Sequence, residues 1–375
     1  MNRSFHSKVV SIVYPPVIDN SQDDGAYPDP VPGFEAGGIR WASLQVPITR
    51  RLQTLVVLFH CLSIATMLSA FFFACVNPLL WPIIIIYAIK LLFSTAHCDG
   101  TLSRRSYLAR KLSVWKFFAS YFPARLHKTA ELPPTRKYII GYHPHGIISH
   151  GAWAAFATDA LKFDELFPDI TNSLLTLDSN FRIPLYRDYI LAMGLCSVSK
   201  ESIENILSRG GENGEGMGRA VTIVIGGARE SLAARPGNIA LVLKNRKGFI
   251  RVAIQAGADL VPCIGFGEND LYDQLNPDNY PTLRRFQMWV LRVWKFTLPF
   301  LHGRGIFNYD VGFMPYRRPL NIVVGRPIKV KQTQDIAESE VNRLHSEYVA
   351  EVQNLWAQYK DRFAKNAESE LKILA

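Results

Sequence analysis

Between Leu52 and Ile89 the chain contains no aspartate, glutamate, lysine or arginine. A helix lying on a soluble domain needs a polar stripe, so this run excludes an ordinary amphipathic segment. It also exceeds the roughly 20 apolar residues of one bilayer span and falls just short of two. Cysteine is scarce as well: Cys61, Cys75, Cys98, Cys196 and Cys263 are scattered, with no C-x-x-C pair. That argues against a disulfide framework and for reduced, packed thiols in a folded part facing the cytosol. No G-x-S-x-G elbow occurs, which argues against a serine hydrolase of that kind. The glycine-rich run 210–218 lacks the Lys-Ser/Thr ending of a phosphate-binding loop and reads as a mobile connection. Zinc-finger and RNA-binding signatures are missing, as are an internal repeat and the ordered regions of a secretory signal.

What is present is a basic chain of 375 residues, 48% hydrophobic and 20% charged, with a formal net charge of +10. With nucleic acid set aside, the positive balance leaves an anionic membrane face or an anionic substrate. The charge-free run breaks at Asn77-Pro78 and Trp81-Pro82, which predicts a membrane helical hairpin, 52–75 out and 79–93 back, within a unit spanning 50–95. Arg50 and Arg51 precede it; Lys90, Arg104, Arg105, Arg110 and Lys111 follow it, so both ends are expected on the cytosolic side. The returning arm is short, and a re-entrant hairpin seated in one leaflet is an equal alternative; a buried core helix pair is the third. Residues 1–45, with several prolines and an acidic cluster at Asp19–Asp24, read as a flexible cytosolic tail.

From 110 to 375 the pattern becomes that of a folded, cytosol-facing domain. Aromatic-plus-basic stretches at 112–122 and 283–300 read either as interfacial segments or as core helices. Strands are expected at 137–142, 173–177, 195–198, 220–225, 259–264 and 320–324. Helices are expected at 151–161, 184–193, 200–208 and 249–256, the last stopped by Gly257. Alternation of this kind predicts an α/β sandwich around a partly parallel sheet. The final stretch, 334–374, reads as one surface helix.

Three constellations could carry chemistry. Tyr142-His143-Pro144-His145-Gly146 sits at a strand-to-helix loop, where catalytic side chains concentrate. Imidazole suits proton transfer near neutral pH. A proline stiffens the loop, and a glycine permits close backbone approach. Loop histidines satisfied by the backbone are the plain alternative. A metal site is the other, with His150 as third ligand, but no Cys/Asp/Glu cluster of ligand spacing accompanies it and no metal is expected. Gly226-Gly227-Ala228-Arg229-Glu230-Ser231 leaves the most hydrophobic strand, where Glu230 could orient a histidine and Arg229 could hold an anionic oxygen; a turn with a surface ion pair is the alternative. Arg246, Lys247, Gly248 and Arg251 form a basic helix start that could take an anion or simply be a solvated turn.

In order along the chain, Tyr121-Phe122-Pro123, the Tyr142–Gly146 loop, Gly226–Ser231, Arg246-Lys247-Gly248-Phe249, Phe266-Gly267-Glu268-Asn269 and His302-Gly303-Arg304-Gly305 resemble the second family of acyl-CoA:diacylglycerol acyltransferases. Relatives of that family act on monoacylglycerol and wax alcohols, and the spacing is similar to that of fungal members. More distantly the arrangement resembles the glycerolipid acyltransferases, with Val261-Pro262 matching one block. It departs from them because neither His143 nor His145 has an aspartate four residues on. The resemblance implies a glycerolipid-acyltransferase-like α/β sandwich and direct acyl transfer. His145 would serve as base, with His143 in reserve and Glu230 as the carboxylate partner. Tyr142, Pro144, Gly146, Arg229, Ser231, Arg246, Lys247, Gly248 and Arg251 would line the substrates. The implied partners are acyl-CoA, diacylglycerol and membrane lipids; no cofactor is implied, since acyl-CoA is a substrate, and self-association is left open. The implied location is the endoplasmic reticulum membrane, and the lipid droplet surface besides. A neutral-lipid scaffold without turnover is the reading of another class.

Overall fold

A segment that offers no polar face to water belongs inside a sheet covered on both sides. In the computed structural model the segment Lys137–His143 is such a strand, with every residue after Lys137 buried. The structure describes residues 10–11, 34–43, 45–211, 213–275, 280–294, 300–364 and 370–374. Two helices come first, α1 (Ile48–Cys75) and α2 (Trp81–Phe93). Between them Asn77 accepts a hydrogen bond from the Leu79 N–H at 3.1 Å and caps a short turn.

The central strands are β1 (Arg125–Lys128), β2 (Lys137–His143), β3 (Thr171–Thr176), β4 (Cys196–Ser197), β5 (Arg219–Val224), β6 (Ala258–Phe266) and β7 (Asn321–Val324). They lie side by side as β1-β7-β6-β2-β5-β3-β4, with Val10–Ser11 beyond β1. From β6 to β4 neighbours run parallel; β7 lies antiparallel to β6 and carries β1 parallel to itself. The remaining helices used below are α3 (Val114–Tyr121), α4 (Tyr186–Ala192), α5 (Lys200–Ser208), α6 (Gly248–Ala256), α7 (Pro281–Trp294) and α8 (Glu338–Phe363). Alternate strand residues feed two apolar clusters. Ile140, Tyr142 and Cys263 pack with α3 and the first residues of α1. Ile139, Leu260 and Ile264 pack with α5, α6 and α8. The fold is mixed α/β with a central sheet, as the strand–helix alternation predicts.

Several elements differ from the sequence expectation. The helix expected over 151–161 stops at Ala157, after a turn at His150–Ala152 and a wider π-helical turn at Trp153–Ala157. Its last carbonyls are met by the buried Arg110, whose Nη1 lies at hydrogen-bond distance from the oxygens of Phe156 (3.0 Å) and Ala157 (2.7 Å), and also from that of Met193 at the end of α4 (2.8 Å). The last helix ends at Phe363, and Lys372–Leu374 returns as a strand parallel to Ala240–Val242 because its apolar side chains have a surface to pair with there. Within the expected tail, Phe34–Ala36 and Ile39–Trp41 pair as a hairpin, and Arg40 Nη2 meets Asp310 Oδ1 at 2.7 Å. Residues 1–9, 12–33 and 44 of that tail lie outside the described residues, as do 295–299 of the second aromatic stretch.

α1 is apolar and long enough to cross a membrane. Its first turns are nevertheless part of the domain: Gln53, Thr54, Val56 and Val57 are buried. Arg317 holds them. Its guanidinium lies 4.1 Å over the Tyr121 ring and donates to Gln53 Oε1 (2.5 Å), the Arg50 oxygen (2.8 Å) and Thr54 Oγ1 (3.0 Å). At the other arm, Arg187 Nη1 and Nη2 donate to the carbonyls of Leu91 (2.6 Å) and Ser94 (2.7 Å) at the end of α2. Hydrogen bonds to a charged group contribute about 1.5–3 kcal/mol each, so Arg317→Gln should destabilise the protein by at least about 2 kcal/mol. Thermal unfolding in detergent measures this; an unchanged midpoint would show that α1 is held without Arg317.

Candidate active site

The site lies at the carboxyl ends of three adjacent parallel strands, β5, β2 and β6, with β2 in the middle. His143 is the last residue of β2, and the loop through Ser149 follows it. Each flanking strand is followed by a glutamate that turns back across this loop. After β5, the short helix Gly227–Ser231 buries Glu230. Its Oε1 accepts the His145 N–H at 2.5 Å, and its Oε2 accepts the Val242 N–H at 2.7 Å. After β6, the buried Glu268 accepts the His150 N–H on Oε1 at 2.7 Å. Its Oε2 accepts the Gly151 N–H at 2.9 Å and the Tyr142 hydroxyl at 2.6 Å. The loop is gripped at both ends, and Ser149 Oγ braces it by donating to the His145 carbonyl at 2.7 Å.

Gly146 completes the fit. Its φ is +58°, and a Cβ there would lie 2.6 Å from Glu268 Cγ. At Gly226 a Cβ would lie 2.0 Å from Glu230 Oε2. Both glycines give a carboxylate room to reach the backbone.

The three histidines have different surroundings. His145 is half-buried, and its Nδ1 lies 3.1 Å from the Gly146 oxygen. A carbonyl only accepts, so the proton sits on Nδ1 and Nε2 carries the lone pair. Burial lowers the pKa of this imidazole, so it is neutral near pH 7. His143 is buried, with Nε2 3.0 Å from the Tyr348 hydroxyl, which itself donates to the Gly141 oxygen at 3.2 Å. Burial pushes its pKa down to about 3, and it stays uncharged. His150 is also buried; its Nε2 lies 3.2 Å from the Tyr272 hydroxyl and its ring stacks on Phe122 at 5.0 Å. On the same side His60 of α1 approaches to 5.6 Å between ring centres.

His145, Gly146, Glu230 and Arg246 are thus brought together. Arg246 is exposed and donates to the Gly226 oxygen at 3.2 Å, above the turn that carries Glu230. Arg229, on that turn, is exposed and has no hydrogen-bond or ion-pair partner among the described residues. Pro144 is buried between the two loop histidines. Tyr142 points into the core beneath the loop, and the Ser231 hydroxyl donates to the Ala228 oxygen at 2.9 Å. Gly248 opens α6, but Lys247 Nζ donates to Asn342 Oδ1 at 2.7 Å and Arg251 pairs with Glu338, so both basic side chains turn towards α8. One expectation changes in kind: Glu230 meets the main chain of His145 and not an imidazole. Glu268, read only as part of a motif, was missed as its counterpart. The signal was a glutamate within a few residues of a glycine that follows the strand in both places, Gly226 to Glu230 and Gly267 to Glu268.

A sequence model of the family described as "Diacylglycerol acyltransferase" matches residues 73–374. Diacylglycerol O-acyltransferase 2A of Umbelopsis ramanniana is 49% identical over 342 residues, covering 89% of this chain and 94% of that protein. Diacylglycerol O-acyltransferase 1 of Schizosaccharomyces pombe is 44% identical, covering 88% and 93%. A 2-acylglycerol O-acyltransferase 1 of Bos taurus is 39% identical, covering 87% and 96%. Among solved structures, the 1-acyl-sn-glycerophosphate acyltransferase PlsC of Thermotoga maritima matches over 84% of this chain and 99% of its own, at 11% identity and a TM-score of 0.39.

Burial pushes the carboxyls of Glu230 and Glu268 up to about 7. A carboxyl with a folded pKa above its unfolded value of about 4.3 favours the fold when protonated. That contribution is complete below the unfolded value and is lost as pH rises through 7. Thermal stability in detergent should therefore decline between pH 5 and 8, by up to roughly 3 kcal/mol for each group. Glu268→Gln, which cannot ionise, should show a shallower decline. An identical slope in the variant would mean that Glu268 ionises in the fold as it does in water.

Proposed function

The chain belongs to the diacylglycerol acyltransferase family and is an acyltransferase; on that premise we propose that it joins the acyl group of acyl-CoA to the free hydroxyl of diacylglycerol. The observation that carries the site assignment is the fixed tautomer of His145. Nε2 takes the hydroxyl proton while the oxygen attacks the thioester carbonyl carbon. The tetrahedral oxyanion is met by the Arg229 guanidinium or by loop N–H groups other than those of His145, His150 and Gly151, which the carboxylates occupy. The C–S bond then breaks, and the proton on Nε2 passes to the departing thiolate. Triacylglycerol and CoA leave. Arg246, exposed and with no carboxylate at ion-pair distance among the described residues, is the best placed of the basic side chains for the CoA phosphates; Lys247 is turned to Asn342, and Arg251 is matched by Glu338. The scheme uses neither metal nor cofactor, and activity insensitive to chelators is its signature.

The helical pair supports a finer reading of location. The 28 residues of α1 measure about 42 Å and the 13 of α2 about 20 Å. With α1 held on the domain as far as the buried Ser63, the remaining 12 residues to Cys75 project about 18 Å, against a hydrocarbon core of about 30 Å. A hairpin dipping into the cytosolic leaflet fits this length, with both ends cytosolic. Such an anchor suits the endoplasmic reticulum membrane and the monolayer of a lipid droplet alike. The sandwich architecture of the catalytic part, with helices on both sheet faces, holds the loop beside that surface. A monoacylglycerol acceptor is the second reading, favoured by the bovine relative's name.

Radiolabelled acyl-CoA offered to membranes of a neutral-lipid-deficient host, with each acceptor and chromatographic separation, decides between them; absence of triacylglycerol would sink the first. His145→Ala should lower the rate by at least about 10²-fold with membrane retention intact. His143→Gln, which can still bond Tyr348, should stay within about tenfold of wild type; the reverse ranking would move the base to His143. Because burial lowers the His145 pKa, the acidic limb of the rate profile should fall below the ordinary imidazole value of about 6.5. A limb above that value contradicts the assignment.

A further inference from the structure

Lys90 is the first charged side chain after the long uncharged run, so along α2 it marks the depth at which hydrocarbon gives way to headgroups. At that level a shallow cleft opens to solvent between α2 and α4. Lys90, Arg104 and Arg187 line it, with Asp188 as the single acidic wall residue. Asp188 is already engaged, its Oδ2 accepting the Tyr87 hydroxyl at 2.6 Å. Arg187 is buried and gives Nη1 and Nη2 to main-chain carbonyls. Lys90 and Arg104 are exposed. Among the described residues no carboxylate stands within ion-pair distance of any of these three cations. Three positive charges against one occupied acid favour an anion. Just outside, Ile89, Leu92 and Phe93 are exposed along α2, a track for acyl chains.

We propose that this cleft binds the phosphate of a small anionic phospholipid, whose chains lie along the exposed face of α2. The cleft is shallow and open, so the phosphate sits at its mouth between the exposed Lys90 and Arg104 and is not enclosed. The site is separate from the histidine loop and fixes the depth and tilt of the hairpin. The inference rests on the reading of α1 and α2 as a membrane hairpin.

The full chain, reconstituted in phosphatidylcholine nanodiscs with and without phosphatidic acid, tests it by native mass spectrometry of retained lipid. Wild type should keep phosphatidic acid, and the double variant Lys90→Gln, Arg104→Gln should bind it at least about tenfold more weakly. The variant Arg285→Gln, Arg292→Gln, which removes the same charge from α7, should bind it as wild type does. Equal weakening in both variants would reduce the effect to general surface attraction and overturn the site. Undiminished retention in the first variant would overturn it too. Displacement of the lipid by inorganic phosphate, with no preference for the lipid, would make this a free-phosphate site and end the lipid assignment. Loss of wild-type protein from membranes on alkaline extraction would instead mark failure of the hairpin reading.

Discussion

Two buried carboxylates gripping one loop set the geometry on which the rest depends. β2 alone would deliver His143 to the sheet edge and then release the chain. Glu230 and Glu268, arriving from the strands on either side, take the N–H groups of His145, His150 and Gly151. Main-chain donors buried without partners are costly, so the carboxylates supply what the interrupted ladder cannot. The same contacts explain the local glycines and the short exits from β5 and β6. A loop fixed from both sides gives His145 one backbone position, the preorganisation that the proposed base role requires.

The grip also ties the histidine loop to the apolar helix α1. Glu268 bonds Tyr142 beneath the loop and the backbone of His150 at its end. His150 in turn stacks on Phe122 and bonds Tyr272, and His60 of α1 lies beside it, 4.5 Å from the Trp153 ring. Tyr121, next to Phe122, is the platform for Arg317, which holds the start of α1. Helix and loop therefore share one packed cluster and do not meet across a hinge.

Much of this was legible in the sequence because it is periodic or local. β2, β5 and β6 were found within two residues at most ends, since fully buried parallel strands read as unbroken apolar runs. α5 matched its expected bounds, with Ser199 as its cap. The break at Asn77-Pro78 located the turn between α1 and α2. What could not be read depended on partners far along the chain. The shortened helix after the histidine loop follows from Arg110, some 46 residues upstream of Phe156. The pairing of Lys372–Leu374 with Ala240–Val242 has no pattern of its own. Glu230 was singled out, but whether a carboxylate takes a ring or a backbone N–H is decided by ångströms that spacing does not encode. Glu268 was hidden for the same reason: its three donors lie more than 100 residues away.

The pair of histidines separated by one proline shows how such a loop divides labour. Neighbouring residues at a strand end point to opposite faces, so two imidazoles two apart would be expected to share a face. The chain leaves the strand between them, and that symmetry is broken. His143 keeps the strand's direction, enters the core and exchanges a hydrogen bond with Tyr348 of α8. At Gly141 a Cβ would lie 1.9 Å from the Tyr348 hydroxyl, so that glycine is the space the phenol occupies. His145 is carried out by the loop and turned by its own bond to the Gly146 carbonyl. One imidazole anchors the platform from below while the other stands on it. A metal shared between them would require both rings to converge, and each ring is already committed to a different partner. The same commitment favours His145 over His143 for the proposed role: burial holds His143 neutral down to about pH 3, and such a group has little tendency to accept a proton from an alcohol.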